Sequence, residues 1–313
     1  MNKETILRGH FDADGITSIF LTSYHVENPK LEVWSGEFGD TTGLKTGDWM
    51  CDMHPIEGQE VPEGLNILDH HAIETYPIKR KYNLFSDTVP ASLIAWRLFH
   101  EDIPKSQWWK VAVGVMGDGQ PELIPYEIFQ ACPQLLNRIK TSAFWNDKTF
   151  EYTLNHWIAY KLVSSPINAL LRVKAYDKAI KLISEAETPE DIIYDEEAAK
   201  AKDEVKKDFR NIMKTCKSYQ FENLNVIIYQ SNYRMSGYVS TVVLEKDSKK
   251  TTTIAINKKD GHGSLRGELS LYWQGKLKPL EYVVANGHPG FMGFQLKGVN
   301  SERFLEDLTK LLG

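Results

Sequence analysis

Four short motifs in the N-terminal half hold the side chains best suited to chemistry. The first is Gly9-His10-Phe11-Asp12-Ala13-Asp14-Gly15, with three candidate metal ligands at alternate positions. Alternation predicts that His10, Asp12 and Asp14 share one side of an extended segment before Gly15 turns the chain into a helix. The second is Cys51-Asp52-Met53, an acid closing an apolar run. The third is Asp69-His70-His71 after Leu65-Asn66-Ile67-Leu68, and the fourth is Gly117-Asp118-Gly119 after Val111 to Met116. Singly, each motif reads equally well as a cap, a turn or a packed histidine pair. Together they form a mixed carboxylate and imidazole set, which suits Mn²⁺ and related ions rather than thiolate-bound zinc. Two such ions about 3.5–4 Å apart clamp the attacking and leaving oxygens of a phosphoryl displacement.

The elements around these motifs alternate in type. Glu4 to His10, Leu31 to Phe38, Trp49 to Met53 and Leu65 to Leu68 read as strands. Ile16, Ile19, Phe20 and Leu21 lie in a helical stretch, and Val89 to Phe99 reads as a helix with Pro90 in its first turn. Val111 to Met116 is a buried strand or a buried helix, which periodicity alone does not separate. The alternation predicts an α/β domain with an open, mostly parallel sheet over residues 1–190. Ligands of such sheets sit beyond the carboxyl ends of the strands, where His10, Asp52 and Asp69 fall. Residues 191–220 read as a charged helical linker, with Ala198, Ala201, Val205, Phe209 and Ile212 forming one apolar stripe. A smaller α/β domain is expected over 221–313. Its strands are Val226 to Tyr229, Thr252 to Ile256 and Ser264 to Leu271, and its helices are Gly237 to Leu244 and Glu302 to Leu312.

The four motifs in this order resemble the DHH phosphoesterase superfamily, which includes RecJ-type exonucleases, oligoribonucleases, cyclic-dinucleotide phosphodiesterases and family II pyrophosphatases. Gly263-Ser264-Leu265-Arg266-Gly267 resembles the Ser-x-Arg strand of the accompanying DHHA1 substrate domain. Asn286-Gly287-His288-Pro289-Gly290 resembles its glycine-rich loop, although Asn286 replaces a usual glycine and Phe291 and Met292 replace small residues. The resemblance implies two divalent ions, Mn²⁺ with Mg²⁺ or Co²⁺ as alternatives. It implies that His10 and Asp12 hold one ion and Asp14 the other, that Asp52 bridges them, and that His70 and Asp118 complete the coordination of the second ion. His71 would contact the scissile phosphate, with Asp69 orienting its neighbours. Ser264, Arg266, Gly287 and His288 would bind substrate, in a cleft between the two domains that closes on it.

The implied activity is metal-dependent hydrolysis of single-stranded DNA, RNA or short oligonucleotides to nucleoside 5′-monophosphates. A cyclic-dinucleotide phosphodiesterase and a nucleic-acid-binding protein without catalysis are the alternatives. The formal net charge of −5 argues against a protein that coats DNA in bulk, but two divalent ions would leave the chain nearly neutral. The three cysteines, Cys51, Cys132 and Cys216, are odd in number and far apart, which fits a reducing cytoplasm and not a disulfide framework. No apolar run approaches the roughly 18 residues of a membrane span, and the first residues lack a secretory pattern. The length fits a two-domain form without a further nucleic-acid-binding domain, and an oligomer is compatible with it. Trp108, Trp109, Trp145, Trp157 and Trp273 read as packing residues, and Lys79 to Lys81 and Lys246 to Lys250 as solvated faces. Tyr233 and Tyr238, flanking Arg234, are the candidates for base stacking.

Overall fold

The computed structural model describes residues 3–36, 38–55, 59–71, 82–132, 135, 163–221, 223–246, 252–277, 279–288 and 290–312. Trp145, Trp157, the basic run 79–81 and most of the run 246–250 lie outside them. The chain divides into two compact units, Met1–Leu171 with Ala175–Lys202, and Arg172–Lys174 with Asp203–Gly313.

The first unit is built on five parallel strands, β1 (Thr5–Gly9), β2 (Pro29–Val33), β3 (Trp49–Cys51), β4 (Asn66–Asp69) and β5 (Asn83–Ser86), in the order β2-β1-β3-β4-β5. The central strands are apolar on both faces, as parallel strands covered on both sides must be. Leu7, Cys51 and Leu68 are buried on one face, Met50 and Ile67 on the other. The second set packs with Leu44, Met53, Leu65 and Tyr82. Helix α1 (Ala13–Thr22) is buried along its whole length and packs on β1, α2 (Ala91–Phe99) and α3 (Trp109–Gly117). Further helices are α4 (Tyr126–Ala131), α5 (Ser165–Arg172), α6 (Tyr176–Glu185) and α7 (Pro189–Ile193).

The ambiguous run Val111 to Met116 is helical. It is buried on every side, so it carries no amphipathic period, and its helical form is set by packing against α1. Asp118 therefore stands at the end of a helix and not of a strand. Leu31 to Phe38 keeps strand geometry only as far as Val33.

Helix α8 (Glu196–Thr215) crosses from one unit into the other; Ala198, Ala201, Val205 and Ile212 of its stripe are buried. The second unit contains β6 (Lys217–Phe221), β7 (Leu224–Tyr229), α9 (Ser236–Lys246), β8 (Thr252–Asn257), β9 (His262–Arg266), α10 (Ser270–Leu277), β10 (Val283–His288), β11 (Phe291–Leu296) and α11 (Ser301–Leu312). They form a six-stranded sheet in the order β10-β11-β9-β8-β7-β6, in which only β7 and β8 run parallel. Val226, Ile254, Leu265 and Phe294 fill its core with Trp273, Phe304 and Leu308. The expected strand Ser264 to Leu271 ends at Arg266, because Gly267 takes φ +133° and turns the chain into α10. Among the described residues no helix is long and apolar enough to cross a membrane.

Candidate metal centre

Strands β1, β3 and β4 are neighbours, and Gly9 pairs with Cys51 and Cys51 with Leu68. The next residue along each strand is His10, Asp52 and Asp69, so parallel pairing alone sets three motifs side by side. The strand order reverses between β1 and β3, which makes this the crevice where open α/β sheets bind ligands. The backbone ladder continues into the motifs: His10 N donates to Cys51 O (3.2 Å) and Asp52 N to Leu68 O (2.7 Å).

The first motif is a turn into a helix and not an extended segment, which corrects the expectation from its alternation. Asp12 is the N-cap of α1, and its Oδ1 accepts from Gly15 N at 2.9 Å. Asp14 lies in the first helical turn. Gly15 is required by close approach, since a Cβ there would meet His10 O at 2.4 Å. The capping role and a ligand role use different atoms of Asp12, for its Oδ2 lies 2.7 Å from His10 Nδ1.

Two ligand sets converge on Asp52. His10, Asp12 and Asp52 place donor atoms within 4.8 Å of one another, as do Asp14, His70 and Asp118. Asp52 Oδ2 faces the first set, 3.4 Å from His10 Nδ1; its Oδ1 faces the second, 3.1 Å from His70 Nε2. His70 Nε2 is also 3.1 Å from Asp118 Oδ2 and 4.0 Å from Asp14 Oδ2. Both Asp52 oxygens and Asp118 Oδ2 are buried without an aligned hydrogen-bond donor. Asp52 also adopts φ +58°, a left-handed conformation costly for most residues and recurrent at functional sites. Buried carboxylate oxygens that lack donors and point at imidazole nitrogens fit divalent cations in chemistry and in arrangement.

Electrostatics agree. Burial alone would lower the His10 imidazole, but Asp12 and Asp52 outweigh it and push it up to about 10. Burial also opposes the charged form of His70, and Asp118, Asp52 and Asp14 hold it well above its usual range. Burial, aided by repulsion from Asp52, pushes Asp14 up to about 7. Burial, aided by Asp14, pushes Asp118 well up. Carboxylates crowded in this way take up either protons or cations.

Asp69 stands apart from both sets. Its Oδ1 is 2.7 Å from His71 Nδ1 and its Oδ2 is 2.7 Å from His54 Nδ1. Burial would raise this carboxyl, but His71 and His54 hold it well below its usual range. Phe38 lays its ring edge-on against His10, His54 and His71, with centroids 5.7, 5.5 and 5.4 Å away.

Sequence reasoning missed three contributors. His54 was legible, since Asp52-Met53-His54 mirrors the spacing of His10-Phe11-Asp12. Ser92, which bonds Asp14, and Asn168, whose Oδ1 accepts from Ala13 N at 3.0 Å, come from distant helices and carry no local signal.

In the second unit, Ser264 and Arg266 lie on β9. Arg266 Nη1 donates to Ser264 Oγ (2.6 Å) and Leu265 O (2.9 Å), and its guanidinium lies 4.8 Å from the Phe291 ring centroid. Gly287 and His288 are not in a loop: they end β10 and pair with Met292 and Phe291 in a hairpin. The His288 side chain lies outside the described residues. Tyr233 and Tyr238 have partners within the unit. Tyr233 OH donates to Glu204 Oε2 at 2.9 Å, and Tyr238 packs edge-on to Phe209 with Arg172 over its face. For Tyr238 the ring itself is occupied.

No protein-family model matches the sequence, and no curated protein matches it in sequence. Solved structures do match in fold. RecJ from Thermus thermophilus in complex with Mn²⁺ aligns at a TM-score of 0.63 and 14% identity, over 99% of this chain and 51% of that one. The chain thus spans about half the length of that relative. Exonuclease RecJ bound to manganese aligns at 0.60 and 15% identity, over 99% of this chain and 89% of that one. The DHH domain of a member of a ribosomal protein family aligns at 0.63 and 13% identity, over 98% of this chain and 86% of that one. What these three share with this chain is an architecture: the chain has the fold of the two RecJ structures and of that DHH domain.

Proposed function

We propose that the chain is a metal-dependent phosphodiesterase that hydrolyses single-stranded nucleic acid, short oligonucleotides or dinucleotides to nucleoside 5′-monophosphates, with two Mn²⁺ or Mg²⁺ ions. The observation that carries this reading is Asp52, whose two oxygens face two separate ligand sets. The likeness in fold to an exonuclease bound to manganese supports it.

When bound, two such ions stabilise the attacking and leaving oxygens of an in-line displacement and make water a stronger nucleophile. The chain's own residues do the rest. Asp69 fixes the His71 imidazole through Nδ1, so His71 presents its remaining edge to a phosphate oxygen. His54 holds the other Asp69 oxygen and keeps that carboxylate from rotating. Phe38 limits water around the three imidazoles it touches. Arg266, steadied by Ser264 and Phe291, offers a cation to a substrate phosphate.

The test is hydrolysis of bis(p-nitrophenyl) phosphate, linear single-stranded DNA, linear RNA, dinucleotides and cyclic dinucleotides, each with Mn²⁺ and with chelator. Cleavage that needs Mn²⁺ and yields 5′-monophosphates from linear substrates is expected. Full turnover in chelator, or none on any diester by Mn²⁺-loaded protein, refutes the reading. Turnover confined to cyclic dinucleotides would replace the substrate class and keep the chemistry.

A further inference from the structure

Asp14 is held more completely than any other carboxylate of the centre. Its Oδ1 accepts two hydrogen bonds from Ser92, from N at 3.0 Å and from Oγ at 2.5 Å. Its Oδ2 accepts one, from Ala91 N at 2.6 Å. Both donors belong to the first turn of α2, and Ser92 is fully buried. A third element leaves room for the arrangement: a Cβ at Gly114 of α3 would lie 2.3 Å from Ser92 Oγ and 2.7 Å from Asp14 Oδ1. Three elements distant in sequence therefore meet at one carboxylate.

A carboxylate has about four lone-pair sites. Ser92 takes both on Oδ1, and Ala91 takes one on Oδ2. The remaining one is on Oδ2, the oxygen 4.0 Å from His70 Nε2. We infer that Ser92, given room by Gly114, is a positioning residue that fixes Asp14 as a one-oxygen ligand and so sets the affinity and selectivity of the second ion. The inference rests on the metal-centre reading above. One-oxygen ligation suits the six-coordinate geometry of Mg²⁺ and Mn²⁺, whereas Ca²⁺ takes more oxygens and often a bidentate carboxylate. Removing the Ser92 Oγ donor opens one site on Oδ1, which should therefore cost Mn²⁺ affinity and relax discrimination against Ca²⁺.

The experiment is a titration of the full chain with Mn²⁺, followed by the EPR signal of the free ion and by calorimetry, with Ca²⁺ as competitor. The wild type should bind two ions. Ser92→Ala should keep the ion held by His10, Asp12 and Asp52 and bind the second about 10–100-fold more weakly, as is usual when an outer contact to a ligand is lost. Ca²⁺ should compete better for that second site than in the wild type. Gly114→Ala should show the same selective loss, since its Cβ crowds Ser92 Oγ and Asp14 Oδ1 without removing either. Far-UV circular dichroism and melting in chelator check the fold; if Ser92→Ala does not fold, Ser92→Cys, similar in size but a weak donor, carries the test. Two ions bound by the folded variant as tightly as by the wild type would overturn the inference. Equal weakening of both ions would also overturn it, because Ser92 would then support the whole cluster. A wild type that binds no Mn²⁺ would bring down the metal-centre reading itself, an outcome distinct from the other two.

Discussion

Replacing Asp52 with asparagine should leave the protein about as stable without metal and remove much of the stability that metal adds. Asparagine is the appropriate probe because it keeps the side-chain shape and tolerates the left-handed φ of +58° that this position requires. In the metal-free protein the Asp52 carboxylate repels Asp14 and Asp118 but also pairs with the raised His10 and His70 imidazoles at 3.4 and 3.1 Å. Neutralising it relieves the repulsion and gives up the pairing, two effects of opposite sign. In chelator the variant should therefore melt close to the wild type, with each kcal/mol of net change worth about 2–4 °C for a unit of this size. Mn²⁺ separates the two proteins. At a free concentration a hundredfold above its dissociation constant, each bound ion adds about 2.7 kcal/mol, so two filled sites add roughly 5 kcal/mol to the wild type. Asp52→Asn weakens a ligand of both ions and should retain no more than about half of that gain. Melting curves should nearly coincide in chelator and separate across a Mn²⁺ titration. If the variant gains as much from Mn²⁺ as the wild type, Asp52 is a structural residue and the bridging argument fails.

Mn²⁺ binding at pH 7 should release protons, because His10 and His70 are held above neutrality by the carboxylates that would share the ions; affinity should rise with pH, and calorimetry in buffers of different ionisation enthalpy measures the release. Lys110 is fully buried with its Nζ 4.1 Å from the Phe20 ring centroid, and burial pushes it from 10.5 down to about 7 against the opposing pull of Asp191. Unfolding restores the higher value, so the unfolded chain binds the extra proton between about 7 and 10.5; wild-type stability should rise with pH through that window and carry the full penalty below it. Lys110→Met should then be more stable than wild type at pH 6, by on the order of 3–5 kcal/mol before the lost cation–π contact is deducted, with the difference shrinking towards pH 10; urea denaturation at several pH values checks this, and a pH-independent difference would refute the burial argument. Arg266→Ala should weaken nucleotide binding about tenfold to a hundredfold, the loss of a charge-assisted bond of about 1.5–3 kcal/mol. It should leave Mn²⁺ binding unchanged, since Arg266 and the ligand sets belong to different units, and an equal loss of Mn²⁺ binding would show that it supports the fold.

By itself the sequence determined the candidate ligand types and the strands that carry them. Apolar runs ending in His10, Asp52 and Asp69 mark the carboxyl ends of buried parallel strands, a local pattern that follows from how such strands pack. Helix α11 and the stripe of α8 were legible for the same reason, because one buried face repeats along a helix. Tertiary structure decided the rest. Val111 to Met116 has no exposed face to reveal its period, so only its packing under α1 makes it a helix. The first motif turns instead of extending because Asp12 caps α1 and Gly15 folds against His10 O. The strand order β2-β1-β3-β4-β5 put the His10 and Asp52 motifs side by side and aimed the two Asp52 oxygens at different ligand sets. The residues that steady the candidate ligands, Ser92 and Gly114 for Asp14 and Asn168 for the first turn of α1, act through contacts across long stretches of chain. Ser92 is 78 residues from Asp14 and Asn168 is 155 from Ala13. Separations of that size leave no periodic trace in a single sequence, so the candidate ligands stand out in their motifs while the contacts that hold them appeared only when the chain was folded.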